Sequence, residues 1–138
     1  MDPLQRAQTS LENEVDLLRE ILSNMVQEES TLLSCNKAAW QELMQNRFYL
    51  LQQLKILRHN SQEHISALSN LEIPCNIALL LDQLLALFSK INFQQIRNHM
   101  LIENSQHFIA IPHALDYPPP FQIAPLNKGK KRLLMTIP

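Results

Sequence analysis

The chain has 138 residues, with 12 basic side chains against 13 acidic ones, a near balance that argues against nucleic acid as the main partner because there is no overall basic field. Its one glycine, Gly129, leaves little for the tight turns of a sheet protein or for a phosphate-cradling loop. Leu, Gln, Glu and Ala are abundant while valine occurs only at Val15 and Val26, which is a helical composition.

In chain order, the first predicted helix covers about 4–33. Leu11, Val15, Leu18, Leu22, Met25 and Leu32 alternate at spacings of four and three, with Glu29 in the one missing step, so a heptad stripe is expected there. Pro3 suits a first turn. Ser34-Cys35-Asn36 then predicts a turn in which Asn36 caps the next helix, although SCN holds no helix breaker and one continuous rod remains open. A turn would bring Leu32 or Leu33 close to Trp40.

The second helix is predicted over about 37–71, on the stripe Trp40, Leu43, Arg47, Leu50, Leu54, Leu57, Leu68 and Leu71. The stretch RHNSQEH from Arg58 to His64 is polar on every face and is expected to be exposed or loosely packed. Pro74 lacks an N–H and disfavours helix at Ile73, so it ends that helix. The third helix is predicted over about 75–111, with Ile77, Leu81, Leu84, Phe88 and Ile91 inward. Its apolar core at 77–91 is shorter than the roughly 20 residues that a bilayer span needs, and Asp82 interrupts it, so a buried helix is expected.

Residues 112–138 differ in kind. They hold six of the eight prolines and the glycine, and the run Pro118-Pro119-Pro120 favours polyproline II. Lys128, Lys130, Lys131 and Arg132 against Asp116 give this segment a charge of +3, which leaves −4 on residues 1–111. The predicted architecture is therefore all-α: a long antiparallel hairpin, a third long helix completing a three-helix bundle over 1–111, and a flexible Pro-rich, basic tail over 112–138.

This order of features resembles the FlgN-like export chaperones of flagellar and type III secretion systems. The likeness rests on Leu32-Leu33 before the short turn and on Arg47 inside the stripe Trp40, Leu43, Leu50 and Leu54. Further on it rests on Asn98 ahead of Leu101-Ile102, then on Tyr117 and Gly129-Lys130-Lys131 in the tail. The chain departs from that pattern in its SCN turn, where an acidic small-residue turn is usual, and in its triple proline. The resemblance implies a cytoplasmic, non-enzymatic chaperone that covers the amphipathic terminal helix of a secreted client, such as a hook–filament junction protein, and delivers it to the cytosolic domain of the export gate. Helix-in-groove recognition would serve this purpose.

Candidate residues follow from the apolar surplus of the third helix, too large for one neighbouring hairpin. Leu80, Leu84, Leu87, Phe88, Ile91, Leu101, Ile102 and Phe108 are the expected client-helix site, and burial inside the bundle or self-association is the alternative. The resemblance implies Tyr117 as the gate-docking residue, with Phe121 as a second anchor, and packing of the rings on the bundle is the alternative. Met25, Met44 and Met100 suit an adaptable groove or ordinary core filling. The basic tail cluster suits an acidic partner, a membrane surface or solvent, and Leu133-Leu134-Met135 a docking strand. His59 and His64 lie five apart, off the i,i+4 spacing of a helical metal site, and no metal or cofactor is expected. Cys35 and Cys75 are too few for a disulfide framework and are expected to be reduced and half-buried, in keeping with a cytoplasmic protein. The opening MDPLQRAQTSLENE shows no signal pattern. A weak homodimer is compatible with this reading. The other function classes left open are a structural coiled-coil adaptor or stalk that self-associates and, less well supported, a helical enzyme whose site has no recognisable motif.

Overall fold

The computed structural model describes residues 2–68, 73–105, 122–124 and 134–136. Among these residues, three helices form the bundle: α1 (Pro3–Leu33), α2 (Lys37–Ser66) and α3 (Cys75–Glu103). Two three-residue strands, β1 (Gln122–Ala124) and β2 (Leu134–Thr136), pair antiparallel with Ile123 opposite Met135. Leu134 and Met135, read from sequence as part of a docking strand, thus pair within the chain itself. The tail residues between and around these strands, Tyr117 and Phe121 among them, lie outside the described residues, as does Phe108.

Each helix end has a local cause. Asp2 accepts the Gln5 N–H at 2.9 Å, the Gln5 side chain reaches back in a capping box, and Pro3 occupies the first turn. The SCN segment is a true reversal: Cys35 adopts φ +56°, its N–H bonds the Leu32 carbonyl at 3.3 Å, and the Asn36 N–H bonds the Thr31 carbonyl at 3.0 Å. That pair of bonds is a Schellman ending, here built on a cysteine instead of a glycine. Asn36 then accepts the Ala39 N–H at 3.1 Å and starts α2. The rod alternative is thereby excluded.

Two helices end earlier than their periodicity predicts. α2 stops at Ser66, not near 71, because the Leu68 N–H closes a tighter turn on the Ile65 carbonyl at 2.9 Å and swings Leu68 into the core. α3 stops at Glu103, not near 111, where the Asn104 N–H bonds the Met100 carbonyl at 3.1 Å and the Ser105 N–H bonds the Ile102 carbonyl at 3.2 Å. A polar Asn-Ser pair ends the helix well before Pro112.

α1 is the central element. Backbone proximity is concentrated between α1 and each of the other two helices. Cross-links such as Ser10–His64 and Asn24–Leu43 show α2 antiparallel to α1, while Gln8–Asn76 and Met25–Asn98 show α3 parallel to it. α2 and α3 meet through long side chains, as where the Arg58 guanidinium carbon lies 5.8 Å from the Phe88 ring centroid.

All three inward stripes alternate four and three without a break. On α1 the stripe is Ala7, Leu11, Glu14, Leu18, Ile21, Met25, Glu28, Leu32; on α2 it is Trp40, Met44, Arg47, Leu51, Leu54, Arg58, Ser61. On α3 it runs Ile77, Leu81, Leu84, Phe88, Ile91, Gln95, Asn98, Ile102. The α1 and α2 stripes are thus offset from those expected. Ile21 and Glu28 are buried where Leu22 and Glu29 were predicted, and Met44 and Arg58 where Leu43 and Leu57 were. The RHNSQEH stretch is corrected likewise, since Arg58 and Ser61 are buried and His64 Nδ1 lies 2.7 Å from Ser10 Oγ. Each fully buried Leu, Ile or Phe on these stripes contributes about 1.5–3 kcal/mol of transfer free energy, and the polar members must find partners inside.

Candidate functional site

Most of the expected client-helix residues are not available to a partner. Leu84, Leu87, Phe88 and Ile91 belong to the main apolar core, and Ile102 closes a smaller cluster with Leu32, Trp40 and Met44. Leu80 and Leu101 are half-buried against the same clusters. The reason is geometric: Leu84, Phe88, Ile91 and Ile102 lie on the stripe that α3 turns towards α1, with Leu80, Leu87 and Leu101 beside it, so the apolar surplus of the sequence is mostly the bundle's own core. The cysteines need the opposite correction, since both Cys35 and Cys75 are exposed. Trp40 is fully buried beside Leu32, whereas Leu33 is exposed. Met25 and Met44 are core residues, and Met100 is exposed.

The face of α3 that remains free is a different one. Leu79, Ala86, Phe93 and Met100 follow at seven-residue intervals, with Ile96 one turn after Phe93, and all five are exposed. Phe93 is 68 % exposed and Met100 55 %. Lys90 and Arg97 flank this line on one side, and Arg97 is ion-paired with Glu29 on α1. α3 is long and apolar enough to cross a membrane by length and composition alone. In the bundle, however, its inner stripe packs on α1, and Asp82, Lys90 and Arg97 punctuate the outer face with charges that hydrocarbon would penalise. α2 exposes a shorter apolar set, Phe48, Tyr49 and Ile56. Between α1 and α2 near the turn lies an open groove of about 650 Å³, lined by Gln27, Thr31, Glu42 and Asn46 among others. Its lining mixes polar groups with Ala39 and Leu43 and offers hydrogen bonds but no convergent chemistry.

Among the described residues, the interior holds two buried ion pairs. In the first, Glu28 and Arg47 meet at 2.7 Å in a ring of further partners. Trp40 Nε1 donates to Glu28 Oε2 at 2.8 Å, and Asn98 Nδ2 donates to Glu28 Oε1 at 2.7 Å and to the Met25 carbonyl at 2.8 Å. Arg47 Nε donates to Asn24 Oδ1 at 2.9 Å, and Asn24 Nδ2 donates to the Leu43 carbonyl at 3.0 Å. All three helices are therefore pinned in one polar layer, which fixes their axial register. Arg47 and Asn98, singled out on the basis of family likeness, are structural members of this layer; Glu28, Asn24 and the indole N–H of Trp40 complete it.

The second pair is Glu14–Arg58, at 3.3 Å, with Arg58 also over the Phe88 ring. Glu14 Oε2 and the neighbouring Ser61 Oγ are buried without a hydrogen bond of good geometry among the described residues. Burial pushes the Glu14 carboxyl above its ordinary value, against the opposing pull of the Arg58 guanidinium and the nearby Ser61 hydroxyl.

His59 pairs with Glu63 at 3.2 Å and His99 with Glu103 at 2.9 Å, both across one exposed turn of helix. Among the described residues, no group of three or more His, Cys, Asp or Glu side chains could hold a metal ion. Compared with known proteins, the chain matches no family model, no curated protein and no solved structure.

Proposed function

We infer that the chain is a cytoplasmic, non-enzymatic export chaperone of the FlgN-like kind, which covers an amphipathic terminal helix of a secreted client and hands it to an export gate. The observation that carries this reading is the exposed line Leu79, Ala86, Phe93, Ile96 and Met100 on a helix whose other face is locked into the bundle. A rigid helix with a regular apolar line along its outer face suits docking of a second helix, because side chains spaced by seven can interdigitate along the whole contact. The client site is therefore proposed on this outer face, in place of the buried stripe. The role of Tyr117 and Phe121 as gate-docking residues remains part of the proposal.

The test is affinity capture with the wild-type chain and with Ile96→Asp. The expected result is that one secreted protein with an amphipathic terminal helix is retained by the wild type, and that its isolated terminal helix is at least tenfold weaker on the variant. Retention of the same client at equal strength by Ile96→Asp would move the site off this face, and retention of no secreted protein would sink the chaperone reading. Tyr117→Ala should leave client binding unchanged while weakening capture of the gate's cytosolic domain. The second reading, a structural coiled-coil adaptor or stalk, draws on the same seven-residue spacing; it requires a stable oligomer and no client.

A further inference from the structure

The three methionines of the helices differ sharply in their access to solvent. Met25 and Met44 are 1 % and 6 % exposed, whereas Met100 is 55 % exposed. Met25 lies in the main core and Met44 in the small cluster with Leu32, Trp40 and Ile102, so neither sulfur meets a dissolved reagent while the bundle is closed. Met100 stands on the outer line of α3, one turn after the exposed Ile96 and two turns after the exposed Phe93. Leucine, isoleucine and phenylalanine on such a face are inert to mild oxidants. A thioether is not: a two-electron oxidant turns it into a polar sulfoxide, and a reductase reverses the change.

We propose that Met100 is a reversible oxidation site that switches the outer face of α3 from apolar to polar. The oxidant is a hydroperoxide. The Met100 sulfur attacks one peroxide oxygen, and an S–O bond forms as the O–O bond breaks. The proton of the transferred oxygen passes to the other oxygen, which leaves as water or an alcohol. Sulfur loses two electrons and the peroxide gains them. On the return, two thiols of a sulfoxide reductase become a disulfide and the oxygen leaves as water. The effect on docking follows from desolvation. A helix laid on this face must cover Met100, and a covered sulfoxide oxygen needs a hydrogen-bond donor. The nearby cationic donors are engaged or distant: Arg97 is ion-paired with Glu29, His99 bonds Glu103, and Lys90 lies about 15 Å back along the axis. The loss of docking rests on the client-face reading of the outer line; the preferential oxidation of Met100 and the change in its polarity do not.

The full chain in a Cys35→Ser, Cys75→Ser background, which removes the two exposed thiols, allows a direct test with hydrogen peroxide as the oxidant. Mass spectrometry of the digested chain should show Met100 converted at least about tenfold faster than Met25 and Met44, as their burial requires. A methionine sulfoxide reductase should return it. The oxidised chain should keep its helical signal and unfolding midpoint, because Met100 belongs to no core cluster. On a phenyl-substituted matrix it should elute earlier than the untreated chain. Met100→Leu keeps the face apolar without the sulfur, so peroxide should not shift its elution, which separates Met100 from the other methionines. The terminal helix of a client retained in affinity capture should bind the oxidised chain at least about tenfold more weakly, and should bind treated and untreated Met100→Leu alike. Conversion of Met25 or Met44 as fast as Met100, or an equal peroxide shift in Met100→Leu, would overturn the proposal. Undiminished client binding after full conversion of Met100 defeats the switch and leaves the chaperone reading standing. A shift on the phenyl matrix with no client captured defeats only the chaperone reading.

Discussion

The two buried ion pairs of this bundle look alike in outline and behave differently. Both set a glutamate of α1 against an arginine of α2, and in both the carboxylate is fully buried. Around Glu28 and Arg47, three helices contribute further donors and acceptors at 2.7–3.0 Å. Around Glu14 and Arg58, the contact lengthens to 3.3 Å, one carboxylate oxygen lacks a well-placed partner, and the carboxyl is pushed above its ordinary value. A buried charge is held by the number and geometry of its hydrogen bonds, and a single counter-ion only partly offsets desolvation.

Substitutions of graded severity tell the two pairs apart. Arg47→Met should have the largest effect, about 3–5 kcal/mol of lost stability by denaturant unfolding, because it leaves Glu28 as a buried charge without its counter-ion. Arg58→Met should cost clearly less, since burial already raises the Glu14 pKa and the carboxyl takes up a proton more readily once its counter-ion is gone; equal losses would erase the distinction. Trp40→Phe removes the donor to Glu28 Oε2 and puts a smaller ring in the fully buried indole site, so it should cost at least the ~1.5–3 kcal/mol of a hydrogen bond to a charged group.

The raised carboxyl of the Glu14 pair gives its contribution to stability a definite dependence on pH. A carboxyl whose pKa in the fold lies above its ordinary 4.5 binds protons more readily folded than unfolded. Its contribution to stability is therefore greatest at low pH and is lost as pH rises from about 4.5 through the raised folded value. Comparing unfolding free energies of the wild type and Glu14→Gln across this window should show that component vanish in the variant. The double change Glu14→Leu, Arg58→Met should be neutral or stabilising by about 1–4 kcal/mol, as when other underpartnered buried pairs are replaced by packed apolar groups. The smallest effect is expected at the turn: Cys35→Gly relieves a side chain at φ +56° and should raise stability by up to about 1 kcal/mol in thermal unfolding.

The three helices and their order were legible because the signals were local. Pro74 cannot continue a helix, Asn36 can cap one, and the apolar spacing of α3 gave Ile77, Leu81, Leu84, Phe88 and Ile91 correctly. The offset on α1 and α2 has one cause. A hydropathy stripe is drawn through apolar residues, whereas here Glu14, Glu28, Arg58 and Ser61 are members of it. The unbroken four-three series through Ala7, Glu14, Ile21 and Glu28 was present in the sequence, but charged side chains are ordinarily assigned to solvent, and only partners far along the chain, such as Arg47 and Asn98, reverse that assignment. The same limit governed the candidate site. Which of two apolar faces of α3 meets α1 depends on where α1 places its own stripe, so the outer line of Phe93, Ile96 and Met100 became distinguishable from the core only once both helices were docked.

The central position of α1 bears on how the molecule opens. α2 and α3 each lean on α1, and only the three-residue SCN turn separates α1 from α2, so that hairpin closes a far shorter loop than the return of α3 to the same strut. Loop closure therefore favours a hairpin that forms first and an α3 that detaches first. In native-state hydrogen exchange the inner amides of α1 should be the slowest, and those of α3 should form a separate, faster unit that unlatches when Asn98 releases Glu28.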